Sequence, residues 1–368
     1  MRMNSSRPRQ SGKKQLQKIR LRYLAHKDIR RFSRTASFSV FDDGYEQVVS
    51  RIMYNVHALE KGLARNSDAR LGFGRKALSN LNDALVVYRS RDYDTSAFAY
   101  VEGLSVIRRY EEFHRKQEFD VPFLPEVIDE EFRRTDRPAA AAGTKTVRRS
   151  DKENNRDKSF YALAQGRSSV REFSGHPIDT GKVMNALRNA EKTPSVCNRQ
   201  GWRAYWTEDK QLAAQVLAHQ RGFGYAEMPE VLLAITVSNN TFLSPVERNE
   251  AFIDGGLFAM SVLYGLEHEG LAAVPLNAMM YYRDQRAVRR LLDIDDSEMI
   301  IMFIAVGDFP PESVVPISDR KPAETRRPAT AAARYVRCSR GDSRKVRHAV
   351  LRASRRRPIA ARAKARRP

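Results

Sequence analysis

The sequence has few cysteines and no long apolar run. Its 368 residues include two cysteines, Cys197 and Cys338, which lie far apart and outside any CxxC motif. This argues against a disulfide framework and a cysteine-rich zinc site, and we expect a reducing compartment, the cytoplasm. Because no stretch of about eighteen apolar residues occurs, a membrane span is not expected. The amino-terminal segment also lacks the apolar core of a secretory signal, and its composition fits a basic disordered arm or an organellar transit peptide.

Acidic residues are scarce at both ends of the chain, and this decides where the positive charge lies. The formal net charge is +21. Residues 1–37 carry twelve Lys and Arg residues and one acidic residue, and residues 321–368 carry seventeen and two. The remaining residues, 38–320, contain more acidic than basic side chains. Because segments of like charge repel and bury little, we expect the arm 1–37 and the tail 326–368 to be disordered and available to polyanions.

The segment 38–134 predicts a small all-helical unit. Apolar residues recur at spacings of three and four over 43–63, 76–89 and 95–115, as on one face of a helix. The segment 135–158 then loses this periodicity and contains Pro, Gly and a polar charged run. We interpret it as an interdomain linker or a long exposed loop.

From residue 159 the pattern changes to mixed helices and strands. Helices are predicted over 179–192 and 249–270, and the second is apolar on nearly all sides, as a buried central helix would be. Short apolar or aromatic runs predict strands over 202–207, 231–237 and 299–306. This order predicts an α+β fold with a sheet wrapped by helices, and we place that domain at 159–325.

Several polar motifs occur in order within this domain. Arg167-Ser168-Ser169-Val170-Arg171-Glu172-Phe173 comes first, and Pro194-Ser195-Val196-Cys197-Asn198-Arg199-Gln200-Gly201-Trp202 follows. Pro275-Leu276-Asn277 comes after the buried helix, and Ser318-Asp319-Arg320 after the last strand. In spacing and order these motifs resemble the FMN-dependent nitroreductase family, with its R-x-S-x-R/K-x-F and P-S-x-x-N-x-Q-x-W patterns. The resemblance covers about 159–325 and implies a nitroreductase-like FMN-binding sheet preceded by a helical extension.

The resemblance assigns the first motif to the anionic parts of FMN. It implies that Arg167, Ser169 and Arg320 bind the phosphate or the ribityl chain, with Ser168 contributing its backbone or hydroxyl. Clustered Arg and Ser side chains supply the charge-assisted hydrogen bonds that a phosphate requires. Arg171 is implied to lie near the pyrimidine edge, where a cation stabilises the reduced flavin, and it is our candidate catalytic residue.

The second and third motifs are implied to contact the rest of the flavin. Ser195, Asn198 and Gln200 offer hydroxyl and amide groups to the ribityl oxygens or the flavin edge. The backbone of Pro275, Leu276 and Asn277 is implied to line the flavin ring, and a plain helix-to-strand loop is the alternative. Gly201 replaces the usual Pro of the family, and Asn277-Ala278 stands where some members have an acidic residue and Gly.

Two further clusters of titratable residues are not assigned a metal-binding or catalytic role. Glu267-His268-Glu269 has metal-ligand residue types, but consecutive residues point to different sides of a helix, so we expect a solvated helix end and no metal site. His57, Glu60 and Lys61 share a helical face, for which we expect a helix-stabilising ion pair and a packed histidine.

The resemblance also implies an activity and an assembly. Family members are intertwined homodimers with the flavin at the subunit interface, and the apolar helix 249–270 suits such an interface. NADH or NADPH is implied to reduce the flavin, which then reduces an electron-poor acceptor such as a nitroaromatic, quinone or enone in a ping-pong mechanism. Two alternatives stay open: other flavin chemistry on the same fold, or a non-catalytic binding protein whose basic tails engage nucleic acid or an anionic surface.

Overall fold

The computed structural model describes residues 7–39, 42–65, 70–134, 142–225 and 227–321. The expected tail 326–368 and the first part of the expected linker lie outside these ranges. None of the helices within them combines the length and the apolarity that a membrane span requires.

The first element differs from the disordered arm that the charge pattern predicted. Helix α1 spans Arg7–Thr35, and its described side chains are mostly exposed. Its Lys, Arg, Gln and Leu residues have good helix propensity, which the charge argument did not weigh. The helix is also attached to the rest of the molecule, because Arg248 donates its Nε–H to the Asp28 carboxylate at 2.7 Å.

The predicted helical unit is confirmed. Its three long helices are α2 (Tyr45–Leu63), α3 (Arg75–Ser90) and α4 (Phe98–Lys116), and two short helices follow, α5 (Leu124–Val127) and α6 (Glu130–Arg134). The apolar faces that the periodicity identified form one core, which includes Ile52, Leu59, Leu81, Leu85 and Tyr110. The unit therefore has its own hydrophobic core.

The second core surrounds a four-stranded antiparallel sheet with the order β2-β3-β5-β4. The strands are β2 (Trp202–Thr207), β3 (Val231–Ser238), β4 (Ala272–Asn277) and β5 (Glu298–Gly307). All eight residues of β3 are buried, because helices cover both faces of the sheet. Helices α8 (Thr180–Ala190) and α10 (Glu250–His268) pack on one face, and α9 (Lys210–Gln220) and α11 (Tyr282–Leu292) on the other. This arrangement confirms the predicted α+β sheet wrapped by helices.

Part of the expected linker is ordered secondary structure. Strand β1 (Thr144–Arg148) pairs antiparallel with β6 (Glu312–Pro316) in a separate two-stranded sheet. Two 3-10 turns follow β1, and then α7 (Phe160–Gly166). The expectation of an irregular segment over 135–158 was therefore wrong for this part. A short polar strand shows no apolar run of its own, and its pairing partner lies far along the chain.

Pro275, Leu276 and Asn277 belong to a strand, so the alternative of a plain helix-to-strand loop was wrong. They end β4, where Pro275 pairs with Ile304 of β5. Because β4 is the last strand of the sheet, the missing N–H of a proline is tolerated there.

Candidate functional site

The first motif lies along the free edge of β4. Arg167 follows α7 directly in an extended conformation, and Val170 donates its backbone N–H to the carbonyl oxygen of Ala273 at 3.1 Å. At the end of the motif, Ser174 donates its hydroxyl to the Asp308 carboxylate at 2.9 Å. The segment is thus fixed at both ends, and β4 brings it beside Pro275.

Two half-buried arginines of this motif are short of compensating charge. Burial lowers the pKa of Arg167; Glu267 partly offsets this effect and Arg320 adds to it. Burial also lowers the pKa of Arg171, and Tyr225 and Glu60 act in the opposite direction. The Nη1 atom of Arg167 is buried and has no hydrogen-bond partner within the described ranges. An unsatisfied buried donor on a cation is costly, so this position favours an anionic ligand.

Two lysines that the sequence did not indicate lie close to these arginines. Burial, followed by repulsion from Lys152, Arg167 and Arg320, lowers the pKa of Lys145 on β1. Burial and repulsion from Arg171 lower the pKa of Lys61 on α2. We call Lys61, Lys145, Arg167, Arg171 and Arg320 the cation cluster. Lys61, Lys145 and Arg320 are exposed at its surface, so a small anion can reach the cluster and relieve the repulsion within it.

Beneath Arg167 lies a buried ion pair. The Nζ atom of Lys152 is 2.5 Å from Oε1 of Glu267, and both side chains are about 5% exposed. Lys152 also donates to the carbonyl oxygen of Gly166 at 2.8 Å, one residue before Arg167. Glu269 is buried as well and pairs with Arg156. The expectation of a solvated end at Glu267-His268-Glu269 was therefore wrong, because the turns after β1 cover both carboxylates.

The helical unit contributes a second group of buried carboxylates near the cluster. Glu60 is 1% exposed and accepts hydrogen bonds from the backbone N–H of Gly143 and of Ser318. Burial raises the pKa of Glu102 to about 7, and Asp319 and Glu60 add to this shift. Across the part of the chain that the structure describes, no group of three or more His, Cys, Asp and Glu is arranged to hold a metal ion.

The second motif forms a compact loop whose polar groups bond to one another. Gln200 donates its backbone N–H to the Ser195 hydroxyl at 2.9 Å and its side-chain amide to the Asn198 carbonyl oxygen at 3.2 Å. Asn198 and Gln200 both have positive φ angles, 55° and 51°. Val196 attaches the loop to α10 by donating its N–H to the Asp254 carboxylate at 3.1 Å.

Within one chain the two motifs lie at opposite ends of α10. The second motif contacts Asp254 in the amino-terminal part of the helix. Arg167 interacts with Tyr264 and Glu267 in the carboxy-terminal part. A helix rises 1.5 Å per residue, so Asp254 and Glu267 are separated by roughly 20 Å along the axis. The structure thus brings Arg167 and Arg320 together, places Arg171 near Lys61 and Glu60, and leaves Ser195, Asn198 and Gln200 elsewhere.

The comparison with protein families agrees with this architecture. The model of the nitroreductase family matches residues 164–224 and 219–308. This part of the chain is a nitroreductase-family domain. It begins within α7, contains the first three motifs and ends just after β5. None of the curated proteins matches the chain.

Solved structures resemble part of the chain at low sequence identity. A nitroreductase family protein from Clostridium difficile 630 is 19% identical over 42% of this chain and 88% of its own, with a TM-score of 0.37. An FMN-dependent nitroreductase from Clostridium difficile R20291 is 14% identical over 41% and 87%, with a TM-score of 0.36. A nitroreductase-like protein from Streptococcus mutans is 18% identical over 41% and 91%, also with a TM-score of 0.36.

The third motif lies beside the first in the nitroreductase domain, with its polar groups already engaged. The side chain of Leu276 is buried in the core under the sheet. Asn277 accepts a hydrogen bond from Gln220 on its carbonyl oxygen at 3.0 Å, and another from the Met279 N–H on Oδ1 at 3.0 Å.

Lys61, Lys145 and Glu60 are the site residues that sequence reasoning missed. The shared helical face of Glu60 and Lys61 was visible in the sequence, yet it was interpreted as a local ion pair. His57 does lie 3.8 Å from Glu60, but the main partners of Glu60 are backbone groups outside the helical unit. The available signal was Glu60, an acidic residue on the buried, mostly apolar face of α2, whereas the exposed Lys61 gave none.

Proposed function

We propose that this protein is an FMN-dependent oxidoreductase that passes electrons from NADH or NADPH to an electron-poor acceptor, such as a nitroaromatic, quinone or enone, in a ping-pong mechanism. Support comes from the nitroreductase-family domain together with the charge of the site. FMN carries a dianionic phosphate, and the cation cluster lies on the first motif of that domain.

The Nη1 atom of Arg167, which is buried and has no hydrogen-bond partner among the described residues, carries the assignment of the phosphate group. This donor requires an acceptor, and a phosphate oxygen supplies both the acceptor and the missing negative charge. Lys145 and Arg320 are the other cations on the same side of the cluster. Arg320 lowers the pKa of Arg167, and both arginines lower the pKa of Lys145. Arg167, Lys145 and Arg320 would therefore hold the phosphate, with Ser168 and Ser169 between the two arginines of the motif.

Arg171 would act at the other end of the bound cofactor. Bound FMN supplies the hydride-accepting and electron-donating chemistry. The guanidinium of Arg171 stays protonated at neutral pH and is half-buried, so its charge is only weakly screened. Lys61 lies near Arg171 and adds to the positive potential there.

A homodimer would complete the site. Phe252, Ile253 and Leu257 of α10 are between 45% and 52% exposed, an apolar face of the kind that a second copy covers. The polar loop of the second motif lies at the same end of α10. In a two-fold dimer that pairs these helices antiparallel, the second motif of one copy would lie beside the first motif of the other.

The absorption spectrum of the purified protein tests this proposal. We expect flavin bands that bleach on addition of NADH or NADPH, and oxidation of the nucleotide with menadione or nitrofurazone as acceptor. Arg167→Gln should lower FMN affinity at least tenfold, while Arg188→Gln, an exposed arginine on α8, should not change it. A colourless protein that FMN does not reconstitute would refute the proposal.

Two other outcomes would point to the alternatives. Bound FMN without nucleotide oxidation would indicate other flavin chemistry, such as oxidation of a peptide heterocycle or fragmentation of the flavin. A colourless protein with a salt-sensitive affinity for DNA, lost on deletion of residues 1–37 and 326–368, would indicate a binding protein.

A further inference from the structure

Glu60 connects the helical unit to two separate segments beside the nitroreductase domain. Its Oε1 atom accepts the N–H of Gly143 at 3.0 Å and the N–H of Ser318 at 3.2 Å. Its Oε2 atom accepts the Ser318 hydroxyl at 3.3 Å. The two segments also bond to each other, because Ile317 donates its N–H to the carbonyl oxygen of Gly143 at 2.9 Å. One buried carboxylate therefore fixes the start of β1 and the segment after β6.

Both of these segments carry a member of the cation cluster. Lys145 follows Gly143 by two residues, and Arg320 follows Ser318 by two residues. Gly143 and Ser318 both have positive φ angles, 124° and 45°, so each segment takes an uncommon backbone conformation at its contact with Glu60. Because an extended residue spans only about 3.3 Å, the anchored positions restrict where the two cations can lie.

The same face of α2 extends along the site. His57 and Lys61 lie one turn apart on α2, and Arg65 follows two residues after the helix ends. His57 lies 3.3 Å from the Ser318 hydroxyl at one end. At the other end, Arg65 donates to the carbonyl oxygen of Gly224 at 2.6 Å and stacks over the Tyr225 ring at 4.7 Å. Lys61 is exposed between these two contacts.

We propose that α2 forms one wall of the anion site and that Glu60 is a positioning residue, which sets the separation of Lys145 and Arg320 so that both contact one phosphate group. The helical unit is then part of the binding site of the nitroreductase domain. This inference rests on the proposed function for the identity of the ligand as FMN, but its geometry concerns any phosphate-sized anion.

Three variants separate the length of the Glu60 side chain from its charge. Glu60→Gln keeps Oε1 in place as an acceptor for both backbone N–H groups and removes the charge. Glu60→Asp keeps the charge and shortens the reach by one methylene. Glu60→Ala removes both. Asp83→Ala, an exposed carboxylate on α3, is the matched control.

The dissociation constants of FMN and of riboflavin are measured for each variant by quenching of flavin fluorescence. Because both variants release the Gly143 and Ser318 segments from their shared acceptor, Glu60→Ala and Glu60→Asp should weaken FMN binding about tenfold or more. Riboflavin has no phosphate, so its affinity should change less than threefold. Glu60→Gln should bind FMN as tightly as the wild type or more tightly, since it removes a negative charge near the site.

Several results would overturn the inference. If Glu60→Gln weakens FMN binding as much as Glu60→Ala, the negative charge of Glu60 matters, and its role in positioning the Gly143 and Ser318 segments does not. If riboflavin and FMN lose affinity equally, the effect is not on the phosphate. Should Glu60→Ala fail to fold, the comparison of Glu60→Asp with Glu60→Gln decides alone.

Inorganic phosphate separates this inference from the proposed function. If the wild type does not bind FMN, the proposed function fails. Thermal protection of the wild type and of Glu60→Gln by inorganic phosphate, absent in Glu60→Asp, would then still support the positioning role. Equal protection of all three by phosphate would refute it.

Discussion

Removing Lys152 should destabilise the protein far more than removing an ordinary surface lysine. Lys152 and Glu267 form an ion pair with an Nζ to Oε1 distance of 2.5 Å, and both side chains are about 5% exposed. Lys152→Met keeps the aliphatic length of the side chain but leaves the Glu267 carboxylate buried without its cation. Among the residues that the structure describes, the remaining partner of that carboxylate is the Asn155 amide, 3.3 Å from Oε1.

The magnitude follows from the cost of a buried, unpaired charge. Breaking a buried pair on one side costs about 3–5 kcal/mol, because the desolvation of the remaining ion is no longer offset. For a protein of this size we expect the melting temperature to fall by roughly 5–15 °C. The double variant Lys152→Met/Glu267→Gln removes the buried charge and keeps an acceptor for Asn155, so it should recover most of the loss.

Urea unfolding, followed by circular dichroism, measures these free energies. Lys210→Met is the matched control, because Lys210 pairs with Glu230 at 2.7 Å but is 47% exposed. That surface pair should contribute at most about 1 kcal/mol. The reasoning is refuted if Lys152→Met costs no more than Lys210→Met, or if the double variant is no more stable than the single one.

Three further predictions concern other parts of the structure. The pKa of Glu102 is raised to about 7, so the folded state holds a proton that the unfolded state releases above about pH 4.5, and stability should fall as the pH rises towards 7. Glu102→Gln should remove this dependence and raise the melting temperature at pH 8. Equal pH profiles of the variant and the wild type would contradict this prediction. Gly265→Ala should cost about 1–3 kcal/mol in urea unfolding, because the added Cβ would lie 2.8 Å from the backbone of Ala186 on α8; an unchanged stability would show that the helices separate easily. Leu257→Glu should convert the proposed dimer to monomers in sedimentation velocity, whereas Val86→Glu on α3 should not. A dimer that persists in Leu257→Glu would exclude this face of α10 as the dimer interface.

The elements that the sequence predicted well are those with a strong local pattern. The strand over 202–207 has the predicted bounds, and the buried helix of 249–270 differs from α10 by two residues or fewer at each end. Strand β1 was missed because its stability depends on β6, which lies far along the chain. Pro275 pointed away from a strand, and only the position of β4 at the edge of the sheet makes that residue acceptable.

The site was predictable only where one segment carries several of its residues. Arg167 and Arg171 belong to a recognisable motif, and their charge predicts an anion. Lys61 and Lys145 carry no motif, and they join the cluster through the packing of α2 and the pairing of β1. The local sequence does not indicate such contacts, because each forms between segments that lie far apart along the chain.

The hydrogen bonds of Glu60 also determine when the site can form during synthesis. Its two backbone partners lie 83 and 258 residues away along the chain. Loops of this length close late, because their entropy is lost before the contacts that repay it are made. We expect the helical unit to fold early on the ribosome and the cation cluster to be complete only after Ser318 has emerged, so that an anion can bind at the cluster only once the segment after β6 has been synthesised.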